Sequence, residues 1–211
     1  MMRTFLSLAL FGIMAVAASA AVITLSTPEN DPAFVSYKQT TQSPCVIGDP
    51  SCKAPAGWSH TVLPANPNPP EYLEYSPDYT VGQINTLLNT LTFALGLDLN
   101  DTSDPQSLFE VSMLINGAVV QSWTDPTGFS YKSTNNGTGQ SDVNFLGFSL
   151  VGYQATDTVS FYLHMENVND GRENLFLVNT AVPPEEIVPE PGTYALIGAA
   201  LVALQVLRKR N

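Results

Sequence analysis

Phe109-Glu110-Val111-Ser112-Met113-Leu114-Ile115, then Asn116-Gly117, then Ala118-Val119-Val120-Gln121-Ser122-Trp123: two apolar runs meet at an Asn-Gly pair. This is the strongest short hairpin signal, because a type I′ turn needs positive φ at both central residues. Upstream, Thr92 to Leu99 puts Phe93, Leu95, Leu97 and Leu99 on one face, the period-2 pattern of a half-buried strand. Downstream, Asp125-Pro126-Thr127-Gly128 and Asn135-Asn136-Gly137-Thr138-Gly139 read as breaks around a strand near Phe129 to Ser133. Further strands read at Phe145–Val151, Thr158–Met165 and Asn174–Val178. Short strands with turns between them predict an all-β fold, an antiparallel β-sandwich of jelly-roll-like type, since an α/β fold needs helices between its strands. Only Val81 to Leu91 offers one, with Ile84, Leu87, Leu88 and Leu91 at helical spacing.

The sandwich core is thus expected over residues 81–180. Residues 21–80 read as an extended segment, because Pro44, Pro50, Pro55, Pro64, Pro67, Pro69, Pro70 and Pro77 exclude a helix from its second half. Tyr72, Tyr75 and Tyr79 close this stretch. They fit either the edge of the β core, the favoured reading, or an exposed aromatic platform for sugars.

Both ends carry targeting patterns. Arg3, the apolar run Phe5 to Val16 and the small residues Ala18-Ser19-Ala20 fit a signal peptide over residues 1–20, cut by signal peptidase after Ala20. An exported chain whose only cysteines are Cys45 and Cys52 is expected to join them in one disulfide. At the other end, a linker over 181–192 holds Pro189-Glu190-Pro191, and residues 193–211 hold an apolar run from Tyr194 to Leu207 followed by Arg208-Lys209-Arg210. As a helix, the run would span roughly 21 Å, against about 30 Å of bilayer hydrocarbon. It suits a temporary membrane stop, with the basic end cytoplasmic.

This order of motif, hydrophobic segment and basic end resembles the PEP-CTERM sorting signal of Gram-negative bacteria, also catalogued as the ice-binding protein C-terminal domain. The resemblance implies an inner-membrane-tethered precursor recognised by an exosortase, cleaved near Pro189-Glu190-Pro191 and released to the cell surface or the extracellular polysaccharide. Leu97-Asp98-Leu99-Asn100, Leu146-Gly147-Phe148-Ser149-Leu150, Asp157 to Phe161 and Asn169 to Leu177 resemble an extracellular domain that recurs directly before such tails. That likeness implies location and fold, without a catalytic set.

The residues themselves offer little catalysis. His60 and His164 are the only histidines, and no nucleophile elbow, HExxH or Walker motif is present. His164 alternates with Phe161, Leu163 and Met165 and should face solvent. Glu71, Glu74 and Glu110 are the acids that a surface glycan hydrolase would pair. Asp98, Asn100, Asp101 and Asp104 form a candidate calcium cluster, with acidic solvated turns as the favoured alternative. The chain has a net charge of −11, and between its two targeting ends only Lys38, Lys53, Lys132 and Arg172 face 18 acids. Such a body excludes nucleic-acid binding by phosphate neutralisation. The sequence predicts a non-catalytic exported protein with a structural or exopolysaccharide-associated role. A calcium-dependent or aromatic-platform carbohydrate-binding module is the alternative.

Overall fold

The computed structural model describes residues 22–100, 104–133, 139–168 and 171–180. The expected signal cleavage site at Ala18 and Ala20, the Pro189-Glu190-Pro191 motif and the Arg208-Lys209-Arg210 end lie outside these residues.

Eleven strands and one helix are described: β1 (Thr24–Ser26), β2 (Cys45–Gly48), β3 (Thr61–Val62), β4 (Glu71–Tyr75), β5 (Tyr79–Thr80), α1 (Val81–Leu88), β6 (Thr92–Asp98), β7 (Gln106–Ile115), β8 (Ala118–Tyr131), β9 (Val143–Ser149), β10 (Thr158–Glu166) and β11 (Asn174–Val178). They build two sheets, one ordered β1-β9-β6-β11-β2-β3 and the other β4-β10-β7-β8, with β5 also paired to β10. All pairings are antiparallel except β2 with β3. From β6 onward the chain changes sheet after every element except the β7–β8 hairpin. The result is the two-layer β-sandwich that the alternating pattern predicts.

The layers meet through the inward residues of each strand. Phe93, Leu95 and Leu97 from β6 and Phe145 and Phe148 from β9 share one buried core with Val111 and Met113 from β7 and Phe161, Leu163 and Met165 from β10. Phe93 packs edge-on against Phe161 across the layers, with centroids 6.1 Å apart. Burying each such side chain stabilises the fold by roughly 1.5–3 kcal/mol.

Residues 22–80 are more than an extended leader. Within the segment 21–80 that reads as extended, β2 and β3 extend the first sheet, and β4 and β5 pair with β10 of the second. The prolines fall between these strands, where a missing N–H costs no ladder bond. Cys45 and Cys52 form the disulfide. Cys45 sits on β2, fully buried, so the bridge ties its loop directly to the sheet.

One correction concerns Asp125-Pro126-Thr127-Gly128. It does not end a strand, because β8 runs through it. The register passes from Glu110↔Thr124 to Leu108↔Phe129, so these four residues bulge opposite Phe109 alone. Helix α1 is shorter than the apolar spacing suggests. Thr80 caps it in a capping box with Gln83, and Asn89 ends it in the left-handed region at φ 52°.

Candidate functional site

The outer face of the second sheet collects the sequence-marked residues that reach solvent. On β10, Val159, Phe161, Leu163 and Met165 point inward, and Tyr162, His164 and Glu166 alternate outward. Register places Tyr75 and Ser112 beside Tyr162, Leu73 and Glu110 beside His164, and Glu71 and Ser107 beside Glu166. The rings of Tyr75 and Tyr162 lie 4.6 Å apart, and Tyr75 is 56% exposed. Next to them Phe109 stacks on the His164 ring at 4.7 Å. The bulge on β8 permits this, because Gly128, at φ 77°, leaves the space where a Cβ would stand 2.7 Å from the Phe109 ring.

Electrostatics on this face are acidic. His164 Nε2 lies 3.5 Å from Glu166 Oε1, and the Ser112 hydroxyl donates to Glu110 Oε1. Partial burial, then the charges of Glu110 and Glu71 together with Tyr75, hold the Tyr162 phenol above its ordinary value. The aromatic strip therefore lies within a carboxylate rim.

The tyrosine trio separates. Tyr72 and Tyr79 are buried, as the core reading expects, and Tyr75 alone is exposed. The Tyr72 hydroxyl, with a single proton to give, lies 3.1 Å from the carbonyl oxygens of both Pro64 and Gly171, and Tyr79 donates to that of Ser59. The three glutamates separate too. Glu71 and Glu110 share the outer face, and Glu74 falls on the opposite face of β4 by alternation. With β10 between them and a two-residue offset, the backbone positions of Glu71 and Glu110 lie roughly 12 Å apart by strand spacing. Paired glycosidase carboxyl groups stand about 5–9.5 Å apart. His60 is remote from this face, its Nε2 3.0 Å from the Asp49 carbonyl oxygen.

The acidic cluster folds differently from its sequence spacing. Asp98 is buried at the end of β6, Asp104 is exposed, and Asp101 lies outside the described residues. The Asn100 N–H turns to the Glu173 carboxylate. Sequence reasoning missed Asp142, which is buried just before β9 and accepts from the Leu99 N–H at 2.9 Å and the Ser133 hydroxyl at 3.0 Å. Glu173, fully buried, also accepts from Gln106 Nε2 at 2.5 Å. Asp98 Oδ2 takes the Gly139 N–H at 3.1 Å, and its Oδ1 has no partner among the described residues. Burial, then a neighbouring charge from Asp142, pushes the Asp98 carboxyl up to about 6 against the pull of its hydrogen bonds. Burial also raises Asp142. These carboxylates tie the ends of β6, β9 and β11 together. Among the described residues no group of three His, Cys, Asp or Glu side chains is placed to hold a metal ion, and no helix is long and apolar enough to cross a membrane.

One comparison concerns the tail. Residues 188–210 match the family model described as the PEP-CTERM protein-sorting motif. The chain carries a PEP-CTERM sorting signal. Pro189-Glu190-Pro191 and Arg208-Lys209-Arg210 all fall inside the match, as the residue pattern predicts. Such a signal implies an exported, membrane-transiting precursor that is handled by an exosortase. No curated protein and no solved structure matches the chain.

Proposed function

We propose that this PEP-CTERM protein is a non-catalytic component of the cell surface or extracellular matrix, associated there with exopolysaccharide. The sorting motif at residues 188–210 carries the reading. The disulfide supports it, because such bonds persist in oxidising compartments outside the cytoplasm. The separation of Glu74 from Glu71 and Glu110, onto the opposite sheet face, also supports it by removing one of the three acids from any shared site. Signal peptidase removes residues 1–20, the C-terminal helix tethers the precursor to the inner membrane, and exosortase cleavage near Pro189-Glu190-Pro191 releases the sandwich.

The aromatic-platform alternative has an observation of its own. The exposed Tyr75 packs on the half-buried Tyr162, so the pair loses little side-chain freedom on meeting a sugar ring. A calcium ion would have to bridge such a contact where the polysaccharide is acidic, since the surrounding glutamates repel it.

Intact mass of the native protein, taken separately from membrane, outer-surface and medium fractions, tests this. The expected species lacks Met1 to Ala20 and the residues after the Pro189-Glu190-Pro191 region, and is found beyond the inner membrane. A mass retaining Tyr194 to Asn211 in the membrane fraction would make it a tethered periplasmic domain instead.

A further inference from the structure

We propose that the groove between the Pro55–Trp58 loop and α1 binds an uncharged saccharide chain, a site separate from the Tyr75–Tyr162 face. This deepens the exopolysaccharide reading and rests on it. The groove is a shallow, open depression of about 680 Å³, lined by Pro55, Trp58, Thr80, Gln83, Thr86 and Leu87 with three small residues between them. That size is in the range of small-ligand sites. No charged side chain lines it, on a body whose acids far outnumber its bases.

The indole is fixed before any ligand arrives. Trp58 Nε1 donates to the Cys45 carbonyl at 2.8 Å. One ring face lies on Tyr79, with centroids 4.2 Å apart and planes within 10°, and the Tyr79 hydroxyl is itself held by Ser59 O at 2.8 Å. Trp58 nevertheless remains half-buried and lines the groove. A rigid aromatic wall of this kind packs against the C–H face of a sugar ring at low entropic cost.

Hydrogen-bonding groups stand opposite. Gln83 Oε1 accepts from the Thr80 N–H at 2.7 Å in the capping box, which orients the amide and leaves its Nε2 hydrogens without a partner among the described residues. Thr86 Oγ1 donates to the Gly82 carbonyl at 2.7 Å, so its lone pairs are free to accept. One donor and one acceptor beside an aromatic wall suit the hydroxyls of a neutral sugar. They offer nothing to balance a charge.

The test uses the full chain carrying Trp123→Phe, which leaves Trp58 as the one tryptophan reporter. Cellohexaose, maltoheptaose and dextran are the uncharged probes, and polygalacturonate is the anionic one. The expected result is a saturable change in Trp58 emission with at least one uncharged probe. Gln83→Glu should raise that Kd at least tenfold, because it keeps the capping acceptor while removing the donor and adding a charge. Tyr75→Ala should leave it unchanged. Silence of Trp58 toward every uncharged probe, or an unaltered Kd in Gln83→Glu, overturns the site. If calorimetry shows saccharide binding that Tyr75→Ala abolishes and Gln83→Glu spares, the groove is refuted and the exopolysaccharide reading survives. No heat with any of the four carbohydrates counts against both. An emission change with a peptide of residues 181–192, and none with the uncharged probes, would assign the groove to the chain's own linker.

Discussion

At the scale of single residues, Asp98 couples the fold to pH. Its carboxyl titrates near 6 in the folded protein, against 3.8 for the free group. Between these values the folded state holds a proton that the unfolded state has released, so stability falls as pH rises through the window. A difference of about two pKa units corresponds to up to roughly 3 kcal/mol. Asp98→Asn should therefore narrow the gap in Tm between pH 4.5 and pH 7, measured by thermal unfolding. Asp142 is shifted in the same direction and leaves a residual slope. An unchanged gap in the variant would show that Asp98 does not titrate in this window. This network was only half legible. Asp98 and Asn100 stand out locally as an acidic turn, but Asp142 and Glu173 join them from 43 and 73 residues away in hydrogen bonds to Leu99 and Asn100. No local pattern announces a contact that depends on which strands become neighbours.

Among elements, the β7–β8 hairpin is legible in the sequence because its signal is confined to two residues. Asn116 and Gly117 take φ of 50° and 78°, the type I′ geometry that the pair is suited to. Gly117→Ala adds a Cβ in the left-handed region and should cost about 1–2 kcal/mol, seen as a lower denaturant midpoint with an unchanged slope. A neutral outcome would mean that the turn relaxes to another type. Elements whose existence depends on partners were harder. β3 and β5 have two residues each and appear only because β2 and β10 offer edges to pair with. The bulge in β8 escaped for a related reason. Asp125-Pro126-Thr127-Gly128 has turn composition and does turn, with the Asp125 carboxylate accepting from the Thr127 N–H at 2.9 Å, yet β7 resumes pairing on its far side. Composition marks where a chain bends, and the neighbouring strand determines whether the bend ends the ladder.

For the molecule as a whole, charge is the property that the sequence states most directly and that constrains partners most. The full chain carries −11 and holds few cations on its sandwich, so an anionic polymer approaches against the net field. Lys38 and Lys53 are the exception, lining one hollow of about 220 Å³ with Asp98 and Asn174. Two long-range outcomes therefore compete. If the net field governs, affinity for polygalacturonate should increase between 10 and 150 mM NaCl, because the screening length shrinks from about 30 to about 8 Å and the repulsion fades. If the two lysines gather the polymer, affinity should fall over the same range, as their attraction is screened instead. Four cations against 18 acids favour the first outcome. Dextran is the control, since an uncharged polymer meets neither field and its binding should not change with salt. Titrating both polymers at three salt concentrations reads the sign directly. A falling affinity for polygalacturonate would move the polysaccharide contact from the neutral aromatic surfaces to the lysine hollow.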